Sequence, residues 1–261
     1  MPAPPIRFDD GAAYEQLMGV WSRAAGDIFL DWLAPRDGLN WIDVGCGNGA
    51  FTELLCTRHA PAGVEGIDPS DAQLEFARSR PGARLARFRS GDAMALPFAD
   101  GVFDAAVMTL VIVFVPDPAR AVAEMARVVA PGGSVSSFIW DVEGGGFPLD
   151  APRAEMRAMS LPPLMPPSAD AARLDALHDL WSAAGLRAVE TRTITVQRRF
   201  ADFDEYWATC LLSSGIRQAL AALPPAEAAA LRERTRARLA IDDAGRITCT
   251  ALANAVKGVK A

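Results

Sequence analysis

Three acidic residues stand at or near the ends of predicted strands, where side chains can reach a ligand. Asp43 lies in WIDVGCGNGA (residues 41–50), two residues before Gly45, the first of three alternating glycines. Asp68 lies in VEGIDPS and Asp92 in SGDAMALPF. Glycine tolerates positive φ and lets a backbone approach a ligand closely. Carboxylates accept hydrogen bonds from hydroxyl and amine groups. The combination predicts a turn that binds a nucleotide-like ligand.

The glycines alone do not identify the ligand. The pattern Gly45-x-Gly47-x-x-Ala50 fits both an ordinary tight turn and the loose dinucleotide fingerprint. Asp68, 23 residues after Gly45, can accept hydrogen bonds from ribose hydroxyls of NAD or of other adenosine ligands. Asp92 separates these ligands. An acid at this strand end can accept a hydrogen bond from the adenine amine, and the NAD fingerprint does not require an acid at this position.

Asp43 also argues against a dinucleotide. The dinucleotide turn usually has an apolar or neutral residue at this position. A buried acid is costly unless it is paired or hydrogen-bonded. We therefore expect Asp43 to fix the glycine loop and to interact with a ligand ammonium, which a methionine moiety has and NAD lacks there.

Alternating apolar segments predict the elements that position these acids. Predicted strands cover residues 40–44, 63–67, 83–89, 103–110 and 134–140. Helices are predicted over residues 14–34, after Gly49, over 70–80 with a Ser70–Gln73 capping box, and from Asp117 to the glycines at 132 and 133. Five strand–helix alternations predict a doubly wound α/β sheet.

The set WIDVGCGNG, VEGIDPS, SGDAMALPF, FDAAVMTLVIVFVPDP and RVVAPGG resembles the motifs of class I S-adenosylmethionine-dependent methyltransferases, in the family's order. The resemblance covers residues 40–141. The later segments WDVEGGG, FADFDEYW and DDAGRIT are similar to a small-molecule branch of the family (methyltransferase type 11-like). The resemblance implies a Rossmann-like, seven-stranded, mostly parallel sheet with an antiparallel last strand and a helical cap.

We therefore expect one methyltransferase domain over residues 1–261. Its expected parts are an N-terminal helical segment (1–36), the cofactor-binding half (37–141), a lid or connector rich in glycine and proline (142–169), a helix and strand completing the core (170–200), a helical cap insertion (201–243) and the final strand (244–261). In open α/β sheets ligands bind beyond the carboxyl ends of the strands. Insertions there tend to build substrate pockets.

For the adenosine half of S-adenosylmethionine, the resemblance implies binding residues after the second and third strands. Asp68 would hold the ribose, and Pro69 and Ser70 would flank the adenosine. Asp92 would accept from the adenine amine, and the backbone amide of Ala93 would donate to the ring.

For the methionine half, the resemblance implies the glycine loop and the end of the fourth strand. Gly45 to Gly49, including Gly47, would wrap the methionine, with Cys46 a loop residue and not a nucleophile. Thr109 and Leu110 would offer backbone carbonyls to the ammonium. Two N-terminal residues would reach the cofactor carboxylate: Tyr14 and Arg23.

Methyl transfer from a sulfonium is an in-line displacement that mainly needs alignment and exclusion of water, with S-adenosylhomocysteine as product. A base is needed only if the acceptor loses a proton. Asp141, after the fifth strand, is the predicted acceptor-positioning group or base. The histidines, His59 and His178, are expected to be structural or exposed.

Composition limits the partners. The chain has 261 residues, a net charge of −6 and a pI of about 5.0, which disfavours nucleic acid and anionic membranes. We expect a small, apolar or neutral acceptor and a monomer or homodimer. The spacing of the four cysteines indicates neither a disulfide framework nor a metal site, and no signal peptide is recognised, so we expect the cytoplasm. Two alternatives stay open: an NAD-dependent oxidoreductase and a non-catalytic cofactor-binding protein.

Overall fold

Strands and helices alternate along the first half of the chain, and helices gather before the last strand. The computed structural model describes residues 15–161 and 165–261. Its strands are β1 (Asn40–Val44), β2 (Gly63–Asp68), β3 (Ala86–Ser90), β4 (Phe103–Thr109), β5 (Val129–Trp140), β6 (Leu186–Phe200) and β7 (Ile247–Lys260). Its α-helices are α1 (Val20–Leu33), α2 (Ala50–Arg58), α3 (Asp71–Ser79), α4 (Pro118–Val128), α5 (Asp150–Ala158), α6 (Leu174–Ala183), α7 (Phe203–Cys210), α8 (Ser214–Ala221) and α9 (Pro225–Ala237).

The strands form one sheet in the order β3-β2-β1-β4-β5-β7-β6. Strand β7 runs antiparallel to both β5 and β6, and the other neighbouring strands are parallel. The central strand β4 is apolar throughout its buried part because a parallel strand is covered on both faces. The predicted fold class, a seven-stranded doubly wound sheet with an antiparallel last strand, is confirmed.

Local signals placed several helix starts correctly. The Ser70 side chain accepts a hydrogen bond from the Gln73 amide and begins α3. Asp117 caps α4 by accepting from the Arg120 amide, and Pro118 occupies the first turn. These contacts satisfy backbone donors that have no partner inside the helix.

One prediction about the connections was wrong. Helix α4 ends at Val128 and not at the glycines 132 and 133, because Val129 already pairs with Phe103 in the sheet. The connection between β3 and β4, residues 91–102, contains no helix. Side chains of α4 hold it instead, since Arg127 donates to the carbonyls of Leu96 and Phe98 at 3.0 and 2.8 Å.

The second half carries the insertions. Strand β6 pairs with β7 from Leu186↔Lys260 to Phe200↔Ile247. Helices α7, α8 and α9 are inserted between these two strands. The segment 142–169, predicted as a lid or connector, contains α5. Within the described residues, no helix is both long and apolar enough to cross a membrane.

A buried carboxylate joins α5 to the inserted helices. Glu155 of α5 accepts hydrogen bonds from Arg238 and, at 2.6 Å, from Arg234. Burial alone would raise the pKa of Glu155, but the two guanidinium groups lower it overall. The arginine side chains are about half exposed, at 50% and 48%, so they stay hydrated if Glu155 is removed.

We therefore expect Glu155→Ala to lower the free energy of unfolding by about 1–3 kcal/mol, since the lost hydrogen bonds are charge-assisted and one partner is buried. Urea denaturation measures this. Glu233→Ala is the matched control, because the exposed Glu233 pairs with Arg232 on α9, the helix that also carries Arg234. Equal losses in the two variants would show that the buried contact has no special role.

Candidate functional site

A cavity of about 610 Å³ opens at the carboxyl ends of the central strands. Its walls come from the start of the N-terminal helix, the glycine loop after β1, and the loops after β2, β3 and β4. The volume lies in the range of ligand sites, about 300–1,000 Å³. The lining includes most of the predicted binding residues: Arg23, Gly45, Cys46, Gly47, Asp68, Pro69, Ser70, Asp92, Ala93, Thr109 and Leu110.

The glycine loop forms one wall, and its glycines have different roles. Gly45 and Gly47 have φ of +74° and +50°, which disfavours any residue with a Cβ. A Cβ on Gly45 would lie 2.5 Å from the Val111 side chain, so this glycine is needed for packing. A Cβ on Gly47 would meet no heavy atom of the described residues within 4 Å. Gly47 therefore faces open space where a ligand can approach the backbone.

Asp68 connects the end of β2 to the glycine loop. Its Oδ2 accepts from the Gly47 amide and its Oδ1 from the Ser70 amide, both at 2.9 Å. Burial raises the pKa of Asp68, and the two amide hydrogen bonds oppose the rise. Each carboxylate oxygen has a further lone pair. Asp68 can therefore hold the loop and accept from a ligand hydroxyl together.

Asp92 and Ala93 lie on the loop after β3. Asp92 Oδ1 accepts from the Met94 amide at 2.8 Å, and Asp92 forms an isolated bridge with Ala95. This tight turn fixes the orientation of the carboxylate. Both residues line the cavity wall.

The structure places Asp43 behind the glycine loop and not in the cavity wall. The side chain is fully buried, and its Oδ2 accepts from the Thr52 hydroxyl at 2.6 Å. Its Oδ1 has no hydrogen-bond partner among the described residues. Burial raises the pKa of Asp43 to about 7. The contact with α2 agrees with a role in fixing the loop, whereas the expected direct contact with a ligand ammonium has no support here.

Cys46 lines the cavity but is buried, and burial raises the pKa of its thiol well above the usual value. The thiolate, which is the nucleophilic form, is therefore disfavoured.

The backbone turns sharply after Thr109. Leu110 has φ of +63°, and its amide donates to the Phe138 carbonyl at 2.7 Å. A non-glycine residue in this region is strained and often marks a functional site.

Three other predicted residues have different outcomes. Arg23 is exposed at the cavity rim. Tyr14 lies outside the described residues. Asp141 does not line the cavity, because its Oδ1 accepts from the Gly144 amide at 2.9 Å and closes the turn after β5. The predicted acceptor-positioning role of Asp141 therefore has no geometric support.

The sequence reasoning missed a second group of lining residues. Five are polar, and Ser22 among them has a buried hydroxyl without a hydrogen-bond partner in the described residues. Most of the others form an apolar wall. The polar residues are Glu15, Ser22, Asn48, Gln73 and Arg80, and the apolar ones include Phe51, Leu54, Val111, Phe114, Val115, Pro116 and Phe138. The run TLVIVFVP signalled part of the apolar wall, but nothing in the sequence signalled Glu15 or Arg80.

Comparison with known proteins agrees with this geometry. A family model described as "Methyltransferase domain" matches residues 42–137. The O-methyltransferase cnsE of Penicillium expansum is 33% identical over 193 residues, covering 72% of this chain and 66% of that protein. The ubiquinone/menaquinone biosynthesis C-methyltransferase UbiE of Paracoccus denitrificans is 40% identical over 119 residues, 44% of this chain and 46% of that protein.

Among solved structures, the YcgJ protein of Bacillus subtilis has a TM-score of 0.61 at 17% identity, covering 90% of this chain and 97% of that one. This likeness shows the fold. The matched regions span less than two thirds of the two curated relatives' own lengths. The sheet order and the glycine loop agree with the match over residues 42–137, and the chain has the fold of the class I S-adenosylmethionine-dependent methyltransferases.

We expect Asp43→Asn to remove a pH dependence of stability. Between pH 3.8 and about 7 the folded protein holds a proton on Asp43 that the unfolded chain has released. The stabilisation of the folded protein by this proton is complete below the pKa of Asp43 in the unfolded chain, and it is lost as the pH rises through about 7. It amounts to at most about 4 kcal/mol for about three pH units.

The measurement is the free energy of unfolding at about pH 5 and about pH 8. Wild type should lose stability relative to Asp43→Asn at the higher pH, whereas Asp71→Asn, at an exposed position, should track wild type. Parallel pH profiles of wild type and Asp43→Asn would contradict the assignment.

A methyl group on Gly47 should block the ligand. Gly47→Ala and the control Gly38→Ala both place alanine at positive φ without a close contact in the described residues, so both should cost about 1 kcal/mol of stability. Of these two glycines, Gly47 lines the cavity and Gly38 does not. We expect Gly47→Ala alone to weaken S-adenosylhomocysteine binding, by about tenfold or more, in calorimetric titration. Equal affinities in both variants would place the ligand elsewhere.

Proposed function

We propose that this protein transfers a methyl group from S-adenosylmethionine to a small, apolar or neutral molecule. The observation that carries the proposal is one cavity that joins Asp68, hydrogen-bonded to Gly47, with Asp92 and with an apolar wall. The carboxylates suit an adenosine, and the apolar wall suits an acceptor.

The polar end of the cavity fits the cofactor. Asp68 has free lone pairs for the ribose hydroxyls, and Asp92 with Ala93 can bind the adenine edge. The open space at Gly47 admits the chain that links the sulfur to the amino acid group. Ser22 offers a buried hydroxyl without a partner in the described residues. When bound, the cofactor supplies an electrophilic methyl group on a sulfonium.

The apolar end orients the acceptor and excludes water. Phe114, Val115, Pro116 and Phe138 line it, and none of these four can move a proton. Their contribution is alignment of the acceptor for in-line displacement, which needs little other chemistry from the protein. An acceptor that is already nucleophilic suits such a wall.

The lid or connector, residues 142–169, contacts the apolar wall. Near its end, the Ser168 amide donates to the Val113 carbonyl at 3.0 Å, and its hydroxyl to the Val115 carbonyl at 2.8 Å. Helix α5 of this lid is joined to the inserted cap, residues 201–243, through Glu155 and Arg234. We therefore assign acceptor selection to the lid and cap. The C- and O-methyltransferases among the relatives support methyl transfer without fixing the acceptor atom.

Calorimetric titration with S-adenosylhomocysteine and with NAD⁺ tests the proposal. Binding of the first ligand with no heat from the second supports it. Binding of NAD⁺ in preference would favour an oxidoreductase. Incubation with methyl-labelled S-adenosylmethionine and a pool of small metabolites then tests catalysis. Cofactor binding with no labelled product from any pool would favour a non-catalytic binding protein.

We expect Asp68→Ala to weaken S-adenosylhomocysteine binding by roughly tenfold or more, because ligand hydroxyls lose a charged acceptor and Gly47 loses its anchor. Asp71→Ala, at an exposed acid three residues on, should bind like wild type. Circular dichroism checks that both variants are folded. A folded Asp68→Ala protein with unchanged affinity would refute the ribose assignment.

A further inference from the structure

Arg80 joins three segments at the edge of the cavity. It follows α3, and its guanidinium donates to the Asn48 carbonyl at 2.5 Å, to Glu53 at 2.8 Å and to Glu15 at 2.8 Å. Asn48 belongs to the glycine loop, Glu53 to α2 and Glu15 to the π-helical turn Glu15–Gly19 that precedes α1. One side chain therefore fixes the relative positions of these segments.

Glu15 and Asn48 are also joined directly. The Asn48 side-chain amide donates to Glu15 Oε2 at 3.1 Å, and its oxygen accepts from the Ala50 amide at 3.2 Å. Asn48 is buried and lies two residues before Ala50, where α2 begins. The N-terminal turn thus reaches the glycine loop through two hydrogen-bonded routes, one through Arg80 and one through Asn48.

The charges make Arg80 the central member of this cluster. Its side chain is 11% exposed, and it lies between the carboxylates of Glu15 and Glu53, which are 41% and 16% exposed. Ion pairs that are shielded from water are screened less than surface pairs. Without Arg80, two carboxylates would face each other beside the loop, and the N-terminal turn would be repelled from it.

We infer that Arg80 is a positioning residue for cofactor binding, holding the glycine loop and the N-terminal turn in one arrangement around the cavity. The inference rests on the proposed function. Glu15, Asn48 and Arg80 all line the cavity, as does Gly47, whose amide is held from the other side by Asp68. The loop is therefore fixed at consecutive residues by an acid on one side and an arginine on the other.

The test measures S-adenosylhomocysteine affinity by calorimetry in four variants. Arg80→Met removes the cation and should weaken binding by about tenfold, and Glu15→Gln by about threefold. Because Glu15 acts through the same cluster, Glu15→Gln in the Arg80→Met background should add less than about twofold. Arg84→Met, at an exposed arginine four residues on, is the control and should match wild type.

A conservative variant separates positioning from bulk stability. Arg80→Lys keeps a cation between the two carboxylates but not the fork that reaches Asn48, so its affinity should recover to within about threefold of wild type. Thermal unfolding establishes that each protein is folded at the titration temperature. Unchanged affinity in folded Arg80→Met, or no recovery in Arg80→Lys, would overturn the inference while wild-type binding stands. Absence of binding by wild type would overturn the proposed function and this inference together.

Discussion

The hydrogen bond from the Gly47 amide to Asp68 is the interaction on which the site depends. It joins the end of β2 to the loop after β1, so the position of the loop is fixed relative to both of these neighbouring strands. The same carboxylate also accepts from Ser70, which begins the next helix. Because Asp68 is half-buried and held by two amides, its orientation is set before a ligand arrives. A hydrogen-bond acceptor that is already oriented loses little conformational entropy when a ligand binds.

Much of the fold could be predicted because its signals are local. Strand β4 is a continuous apolar run, and Ser70 and Asp117 mark helix starts by capping contacts that the structure contains. The features that could not be predicted depend on long-range contacts. Helix α4 stops at Val128 because Val129 pairs with Phe103, and the β3–β4 connection is held by Arg127, which is distant in sequence.

The site shows the same division between local and long-range information. The sequence placed Asp68, Asp92 and the glycine loop at strand ends, and the fold brings them to one cavity. Glu15 and Arg80 were missed because they meet across 65 residues of chain and belong to no motif. Asp43 was recognised as unusual, but only its burial shows that it faces α2 instead of the cavity.

The insertion between β6 and β7 leaves and returns at paired residues, Phe200 and Ile247. The sheet therefore holds the two ends of the insertion together. The entropic cost of closing such a loop rises only slowly with its length. Helix α5 of the lid contacts the insertion through the hydrogen bond between Arg234 and Glu155. Under the proposed assignment of acceptor selection to the lid and cap, sequence changes in this insertion would alter the acceptor while the strands around the cavity keep their register. The acceptor could then differ between related proteins with the same sheet, because the inserted helices lie between two strands that remain paired.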